Sequence, residues 1–280
     1  MCWRWPVSHD LKSLLLEKVN ALIGEIAGSN GSHTDLLQAL VQFVNLRDRV
    51  PGIRKWIVCK SDHLRKQSLN ANISAGLEKL VSAAEAGEDL RPWLHDAIFA
   101  DKQDALFNDW GIQHYHLGVE FEIVKNGRPR IRRTGDVLFA THREDTGHFY
   151  LIGIFDHKNF SNKQLLEIVN ANWPELIDHA KIRSLIEISH SPTSSEIHLL
   201  RKNQVNSAAE IDGKFFVGPG GGYTTSGQST KAVMKALYVT RLLYSLQKEV
   251  DSKQLEVRFV VQDRSVFLVD ETNNRHRLVL

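Results

Sequence analysis

One stretch, residues 114–160, constrains the fold more than any other part of the 280-residue chain. It contains two short apolar runs, residues 137–140 and 150–155, which are rich in β-branched and aromatic side chains. Turn signals at residues 126–127 and 146–147 separate the runs of this stretch. The pattern predicts a central antiparallel sheet.

Basic side chains are concentrated in and around these predicted strands. Because His114 and His116 are two residues apart, their side chains leave the same face of an extended strand. Guanidinium groups grip phosphate, and imidazole exchanges protons near neutral pH. If the strands are adjacent, one surface collects the predicted catalytic residues His114, His116, Arg130, Arg132, Arg133, His142 and His157. Further phosphate contacts are predicted for Arg128, Arg143 and Lys158.

The order of these motifs resembles the RelE/ParE class of small bacterial toxins. The matching residues are His116-Leu117-Gly118, the basic segment 127–132, the Arg-Thr-Gly-Asp strand 133–139 and the strand 150–157. The resemblance implies a RelE-like sheet, endoribonuclease activity on RNA and an antitoxin or other protein partner, in a toxin–antitoxin or phage-defence system. It also implies that His116, Arg132, Arg133 and His157 take part in RNA cleavage.

Two other functions use the same residues. A non-catalytic nucleic-acid-binding or antitoxin-like module would hold phosphate with the basic cluster and release no product. A metal-dependent nuclease or phosphodiesterase would use His114, His116 and Asp156, with Asp136 or His157 as further candidates, to bind a divalent ion. The neighbouring arginines oppose a cation, so metal-independent acid–base cleavage, without a cofactor, is the preferred hypothesis. An isolated histidine pair is also compatible with a simple structural role.

A glycine-rich segment near the C-terminal helix is the second candidate site. It comprises Gly220, Gly221, Gly222, Tyr223, Thr224, Thr225 and Ser226. Backbone amides and hydroxyl groups that lead into a helix can bind phosphate, and a tyrosine can stack on a base. No Walker sequence is present, so a tightly turned surface loop is the alternative interpretation.

The whole chain has the composition of a folded protein without disulfides. Its net charge of +2 gives no general indication of nucleic-acid binding, so that prediction depends on the local cluster. Only two cysteines are present, which favours a reducing compartment. No run is apolar enough for a membrane span or a secretory signal, and we expect a cytoplasmic protein without a membrane partner.

The predicted fold class is α+β, with N-terminal helices, a central antiparallel sheet with covering helices, and a C-terminal helix and β-hairpin. Three regions are predicted: a helical region (1–105), a sheet core with its following helices (106–190), and a mixed region with the glycine-rich loop (191–280). Helices are predicted from Ser8 to residue 27, over 90–100, from Pro174 toward residue 189 and over 229–250. Strands are predicted at 197–200, 214–217, 257–261 and 266–269.

Overall fold

The computed structural model of the chain describes residues 10–28, 32–100, 103–124, 127–184, 189–270 and 275–280. The α-helices in these ranges are Leu11–Ala27 (α1), Leu36–Arg49 (α2), Asp62–Lys66 (α3), Ala71–Ala86 (α4), Ala105–Trp110 (α5), Gln164–Asn172 (α6), Ser194–Lys202 (α7) and Thr230–Lys253 (α8). The strands are Ile57–Lys60 (β1), Gln113–His116 (β2), Phe121–Ile123 (β3), Pro129–Ile131 (β4), Asp136–Arg143 (β5), His148–Asp156 (β6), Ala208–Ile211 (β7), Lys214–Val217 (β8), Val257–Gln262 (β9), Ser265–Asp270 (β10) and Arg275–Leu278 (β11). These elements confirm the α+β class.

The described residues form two compact units that differ from the three predicted regions 1–105, 106–190 and 191–280. The first unit takes residues from Met1–Asp48 and Ala232–Leu280, and the second is Arg49–Lys231. Both ends of the chain therefore contribute to one unit. Among the described residues, no helix combines the length and the apolar character that a membrane span requires.

The first unit contains α1, nearly all of α2 and α8, and a three-stranded sheet. Helix α1 begins where the Asp10 carboxylate accepts a hydrogen bond from the Lys12 amide, and it ends at Gly28, which has a left-handed conformation. The Leu11 amide donates to Oε1 of Gln247 on α8, at 2.9 Å. The β9–β10 hairpin is confirmed, and β11 extends its sheet beyond β10.

The second unit contains the central sheet, whose strand order is β1-β6-β5-β2. Strands β5 and β6 form the predicted antiparallel hairpin, and β2 pairs antiparallel with β5. Strand β1 is parallel to β6, so the sheet is mixed and not purely antiparallel. Helix α6 packs its apolar side on this sheet, in a core that includes Val137, Phe139, Leu165 and Val169.

Three local predictions from the sequence are wrong. Residues 197–200 lie in helix α7 and not in a strand, because Thr193 and Glu196 form a reciprocal capping box at its start. The segment after Pro174 forms two short 3₁₀ turns, Pro174–Leu176 and Asp178–Ala180. The predicted 90–100 helix is instead two 3₁₀ segments, Arg91–Trp93 and Asp96–Ala100. The predicted cap Ser8, Asn126 of the 126–127 turn and residues 185–188 of the Pro174 helix lie outside the described residues.

Candidate functional site

Four histidine rings meet at one end of the central sheet. They are His95, His114, His116 and His157, and we call them the histidine cluster. The ring centres of His114 and His116 are 5.7 Å apart, and the His157 ring lies 5.7 Å from the first and 5.5 Å from the second. The His95 ring lies 5.7 Å from His114 and 6.2 Å from His116. The cluster therefore joins side chains that are up to 62 positions apart in the sequence.

Local backbone structure positions each member of the cluster. Alternation along β2 directs the His114 and His116 side chains to the same face, as the sequence predicts. An isolated antiparallel bridge between Leu94 and Tyr115 brings the adjacent His95 beside that strand. His157 follows β6 in a turn, where the Asp156 carboxylate accepts a hydrogen bond from the Lys158 amide at 2.7 Å.

Immediately after β2, the backbone at Gly118 packs closely against the backbone at Arg132. A Cβ atom on Gly118 would lie 2.3 Å from the carbonyl oxygen of Arg132, which is too short for any side chain. Glycine at this position therefore allows the two segments to meet. Gly118 lies two residues after His116, so this contact with the Arg132 backbone fixes the chain close to a ring of the cluster.

Phe160 forms an apolar wall of the cluster. Its ring centre lies 4.9 Å from that of His114 and 5.7 Å from that of His157. The Phe160 carbonyl accepts a hydrogen bond from the guanidinium of Arg201. Arg201 is buried, pairs with Asp109 at 2.8 Å and lies 3.8 Å from the ring centre of Trp110. A buried ion pair thus supports this wall.

The two inner rings of the cluster are uncharged at neutral pH. His116 is 1% exposed and His114 is 9% exposed. Burial lowers the pKa of each ring from 6.5 to about 3, and the other cluster histidines and Arg133 act in the same direction. Within the described chain, Nε2 of His114 and both ring nitrogens of His116 are buried and make no hydrogen bond. Their proton-binding capacity is therefore not used inside the protein.

The outer rings of the cluster are more accessible. His157 is exposed and His95 is partly exposed. Burial, followed by the charge of Arg133, lowers the pKa of His95. Its Nδ1 accepts a hydrogen bond from the Ala97 amide at 3.0 Å, so the neutral ring carries its proton on Nε2. The Nε2–H group of His95 is thus a hydrogen-bond donor.

Carboxylates neutralise most of the predicted arginines. Asp96 accepts hydrogen bonds from Arg128 at 2.7 Å, from Arg130, and from Arg133 at 3.3 Å. Burial opposes ionisation of Asp96, but the bonds from Arg130 and Arg128 outweigh it and lower the pKa of this carboxyl. Arg130 also pairs with Glu122. Arg128 and Arg130 therefore serve first to hold the β3–β4 hairpin against Asp96.

Arg132 and Arg133 are adjacent in sequence but differ in their relation to the cluster. Arg132 is exposed and pairs with Glu120 at 2.8 Å. The side chain of Arg133 is 48% exposed, and its charge lowers the pKa of His95, His114 and His116. Arg133 is therefore the predicted arginine whose charge acts on the histidine cluster.

The structure does not bring His142, Arg143 or Lys158 into the cluster. His142 lies six residues along β5 from Asp136, which is about 20 Å for an extended strand, and its ring packs against Trp56. Arg143 pairs with Asp145 at 2.6 Å. Lys158 is exposed in the turn after His157.

The glycine-rich segment is bound to the protein's own backbone. Five consecutive amides, from residue 220 to residue 224, donate hydrogen bonds to oxygens of the chain. The amides of Gly220 and Gly222 donate to the carbonyls of Asp109 and Asn108, at the end of α5. Tyr223 is 6% exposed and its hydroxyl donates to the Ala105 carbonyl. These amides and this ring are thus occupied, and the geometry supports the tightly turned loop in place of a phosphate cradle.

The remaining members of that segment, Thr224, Thr225 and Ser226, stand at its outer turn. The hydroxyls of Thr224 and Ser226 are 2.9 Å apart, and Thr225 is exposed. Gly221 is exposed too, but its amide donates to the Gly218 carbonyl.

The described residues contain no group of three or more histidine, cysteine, aspartate or glutamate side chains arranged to hold a metal ion. Of the alternative ligands His114, His116 and Asp156, the last uses its carboxylate within the 156–159 turn, where it also accepts from Nδ2 of Asn159 at 2.8 Å.

Sequence reasoning missed three residues of this site: His95, Asp96 and Phe160. His95 and Asp96 lie upstream of the predicted sheet, in a segment predicted as a helix, and a bridge between Leu94 and Tyr115 brings this segment beside β2. Comparison with protein-family models, with curated proteins and with solved structures found no match to this chain.

Proposed function

We propose that the protein is an endoribonuclease that cleaves RNA at the histidine cluster by metal-independent acid–base chemistry. One observation carries the proposal: an exposed imidazole, His157, lies against two buried neutral imidazoles, with the guanidinium of Arg133 acting on the same cluster. Imidazole transfers protons near neutral pH, and a guanidinium stabilises an anionic phosphorane.

RNA suits this set of groups because it carries its own nucleophile. In the proposed step the ribose O2′ forms a bond to phosphorus and the bond from phosphorus to O5′ breaks. His157 accepts the proton of the 2′-hydroxyl, and the leaving O5′ takes a proton from water at the exposed edge of the cluster. Arg133 and the Nε2–H group of His95 donate to the non-bridging oxygens. His114 and His116 position the outer rings and do not touch the substrate.

The biological setting is proposed from the resemblance to the RelE/ParE class. It is a cytoplasmic toxin, restrained by an antitoxin, in a toxin–antitoxin or phage-defence system. The chemistry proposed for the histidine cluster does not depend on that setting, because it requires only RNA and water.

The test compares labelled RNA with labelled DNA, each with and without a chelator. We expect cleavage of RNA alone, unchanged by the chelator. A matched pair of variants sharpens the result: Arg133→Ala lowers the cleavage rate, while Arg132→Ala, which removes the neighbouring exposed arginine, does not. Retention of RNA without product would favour the binding module, and activity that needs an added divalent ion would favour the metal-dependent nuclease.

A further inference from the structure

Helix α8, in the first compact unit, exposes large side chains along one side. Met234, Tyr238 and Tyr244 are 62%, 58% and 63% exposed. The opposite side is buried and consists of Ala232, Ala236, Val239, Leu243, Leu246 and Val250. Spacings of four and three residues put Met234, Tyr238 and Arg241 on the same exposed side. Burial in the fold therefore does not explain why these apolar and aromatic groups are present.

The exposed side of α8 is also positively charged. From Thr230 to Gln247 the sequence contains Lys231, Lys235 and Arg241 and no acidic residue. Lys248 follows, with its ammonium nitrogen 4.4 Å from the ring centre of Tyr244.

Acidic groups appear only toward the C-terminal end of α8. Asp251, together with Asp10 of the α1 cap, lines a cavity of about 360 Å³ beside Tyr244. Glu249 pairs with Lys253 at 2.9 Å. The basic stretch of the helix therefore runs from Lys231 to Lys248, and the acidic residues of the helix follow it.

Cations interspersed with aromatic rings match single-stranded nucleic acid. Lys235, Arg241 and Lys248 follow one another at about 10 Å along the helix axis, given a rise of about 1.5 Å per residue. Phosphates bind such cations, and unpaired bases stack on tyrosine. An apolar protein partner would have to bury the same cations without counter-charges, which is unfavourable.

We propose that this side of α8 binds single-stranded nucleic acid, and that the ligand is RNA, the latter resting on the proposed function. We call it the α8 face, and it consists of Met234, Lys235, Tyr238, Arg241, Tyr244 and Lys248. The cations hold the phosphate backbone, and Tyr238 stacks on a base.

The test measures binding of the full chain to a fluorescent 2′-O-methyl RNA of about twelve nucleotides, a length within the range of single-strand sites. This probe has no free 2′-hydroxyl, so binding is separated from cleavage. Combined Lys235→Ala, Arg241→Ala and Lys248→Ala changes should weaken binding at least about tenfold at low salt and lower the salt slope by about 2. Tyr238→Ala should weaken binding about tenfold, whereas Tyr238→Phe, which keeps the ring, should not.

The matched control removes three exposed lysines of the second unit, by Lys66→Ala, Lys202→Ala and Lys214→Ala. Equal losses in the control and the α8 variant would overturn the proposal, as would an α8 variant that binds normally or changes only self-association. If the parent protein binds the probe through α8 but leaves ordinary RNA intact, the proposed cleavage fails while binding by the α8 face stands. If the parent protein cleaves RNA and the α8 variant binds the probe normally, binding by the α8 face fails while the proposed cleavage stands.

Discussion

The two buried rings of the histidine cluster, His114 and His116, and the cations of the α8 face are in opposite charge states. His114 and His116 are buried and uncharged in the cluster. Nε2 of His114 and both ring nitrogens of His116 make no hydrogen bond within the described residues. The α8 face keeps Arg241 and Lys248 exposed, on a helix whose first 18 residues contain no acid. Buried neutral imidazoles attract phosphate weakly, whereas exposed cations attract phosphate but do not transfer protons at neutral pH. In the two proposals, His157 beside these neutral rings transfers the proton, and the cations of the α8 face bind the RNA backbone.

The largest expected effect is on the RNA cleavage rate, and it distinguishes His157 from its neighbour Lys158 in the same exposed turn. His157→Ala should lower the RNA cleavage rate about 10²–10⁴-fold, because it removes the ring that is proposed to accept the proton of the 2′-hydroxyl. Lys158→Ala should leave the rate within about twofold, because the phosphate contacts of the proposal lie elsewhere. Single-turnover kinetics with saturating protein measures both. Equal losses in the two variants would show that the turn contributes charge and not proton transfer.

Acid should destabilise the second unit through the cluster. The pKa of His114 and of His116 is about 3 in the folded state and 6.5 in the unfolded state, so the unfolded state takes up protons first as the pH falls. The contribution of these two neutral rings to the free energy of unfolding is complete above about pH 6.5 and is lost as the pH falls toward 3. About 2 kcal/mol is lost per ring by about pH 5. The groups acting most strongly on these rings are the other cluster histidines, Arg133 and, for His114, Arg49, and all are basic.

Urea unfolding at several pH values measures this loss. The His116→Gln variant, which cannot titrate, should lose about 2 kcal/mol less on acidification than the parent protein. His198→Gln alters an exposed histidine and should follow the parent curve. A His116→Gln curve that runs parallel to the parent would contradict the neutral state assigned to this ring.

Salt should affect the two regions differently. Charge-neutralising changes on the α8 face should reduce the salt dependence of RNA binding, because each lost phosphate contact lowers the slope by about 0.7. His157→Ala should leave that slope unchanged while it lowers the cleavage rate. Anisotropy titrations over a range of salt concentrations test this, and a slope that falls with the cluster variant would remove the proposed division of roles.

The smallest effect is expected at the exposed arginine of the hairpin. Arg132→Ala breaks an exposed pair with Glu120 and should change the free energy of unfolding by less than about 1 kcal/mol. Arg201→Ala, by contrast, would leave Asp109 buried without its counter-charge and should cost about 3–5 kcal/mol. Thermal unfolding of the two variants compares them, and similar losses would contradict the burial assigned to the Arg201 pair.

Much of the site could be predicted from spacing within the chain. Alternation in β2 puts His114 and His116 on one face, and His157, which follows the apolar run 150–155, lies beside both rings. His95 could not be found in this way, because tertiary contacts, among them the bridge at Leu94, bring it to the cluster. The sequence shows the arginines but does not show which carboxylates pair with them. In the structure, three of these arginines share the carboxylate of Asp96.

Secondary structure was predictable from the sequence where the hydrophobic pattern extends over many residues. It was ambiguous where the apolar run is short. Helices α1 and α8 and the β5–β6 and β9–β10 hairpins agree with their patterns. The apolar run 197–200 is short enough to fit either structure, and the Thr193 and Glu196 cap decides for a helix. The glycine-rich segment suggests open amides by composition, but its hydrogen bonds to α5 depend on contacts that no local pattern records.

The most direct test of the central claim uses an RNA with one 2′-deoxy nucleotide at the cleavage site. Proton transfer from O2′ at the histidine cluster predicts that this single change abolishes cleavage there, and that unmodified RNA gives a 2′,3′-cyclic phosphate and a 5′-hydroxyl end. Cleavage at the deoxy position, or a 5′-phosphate end, would contradict the assignment, because either result requires a nucleophile other than the ribose hydroxyl.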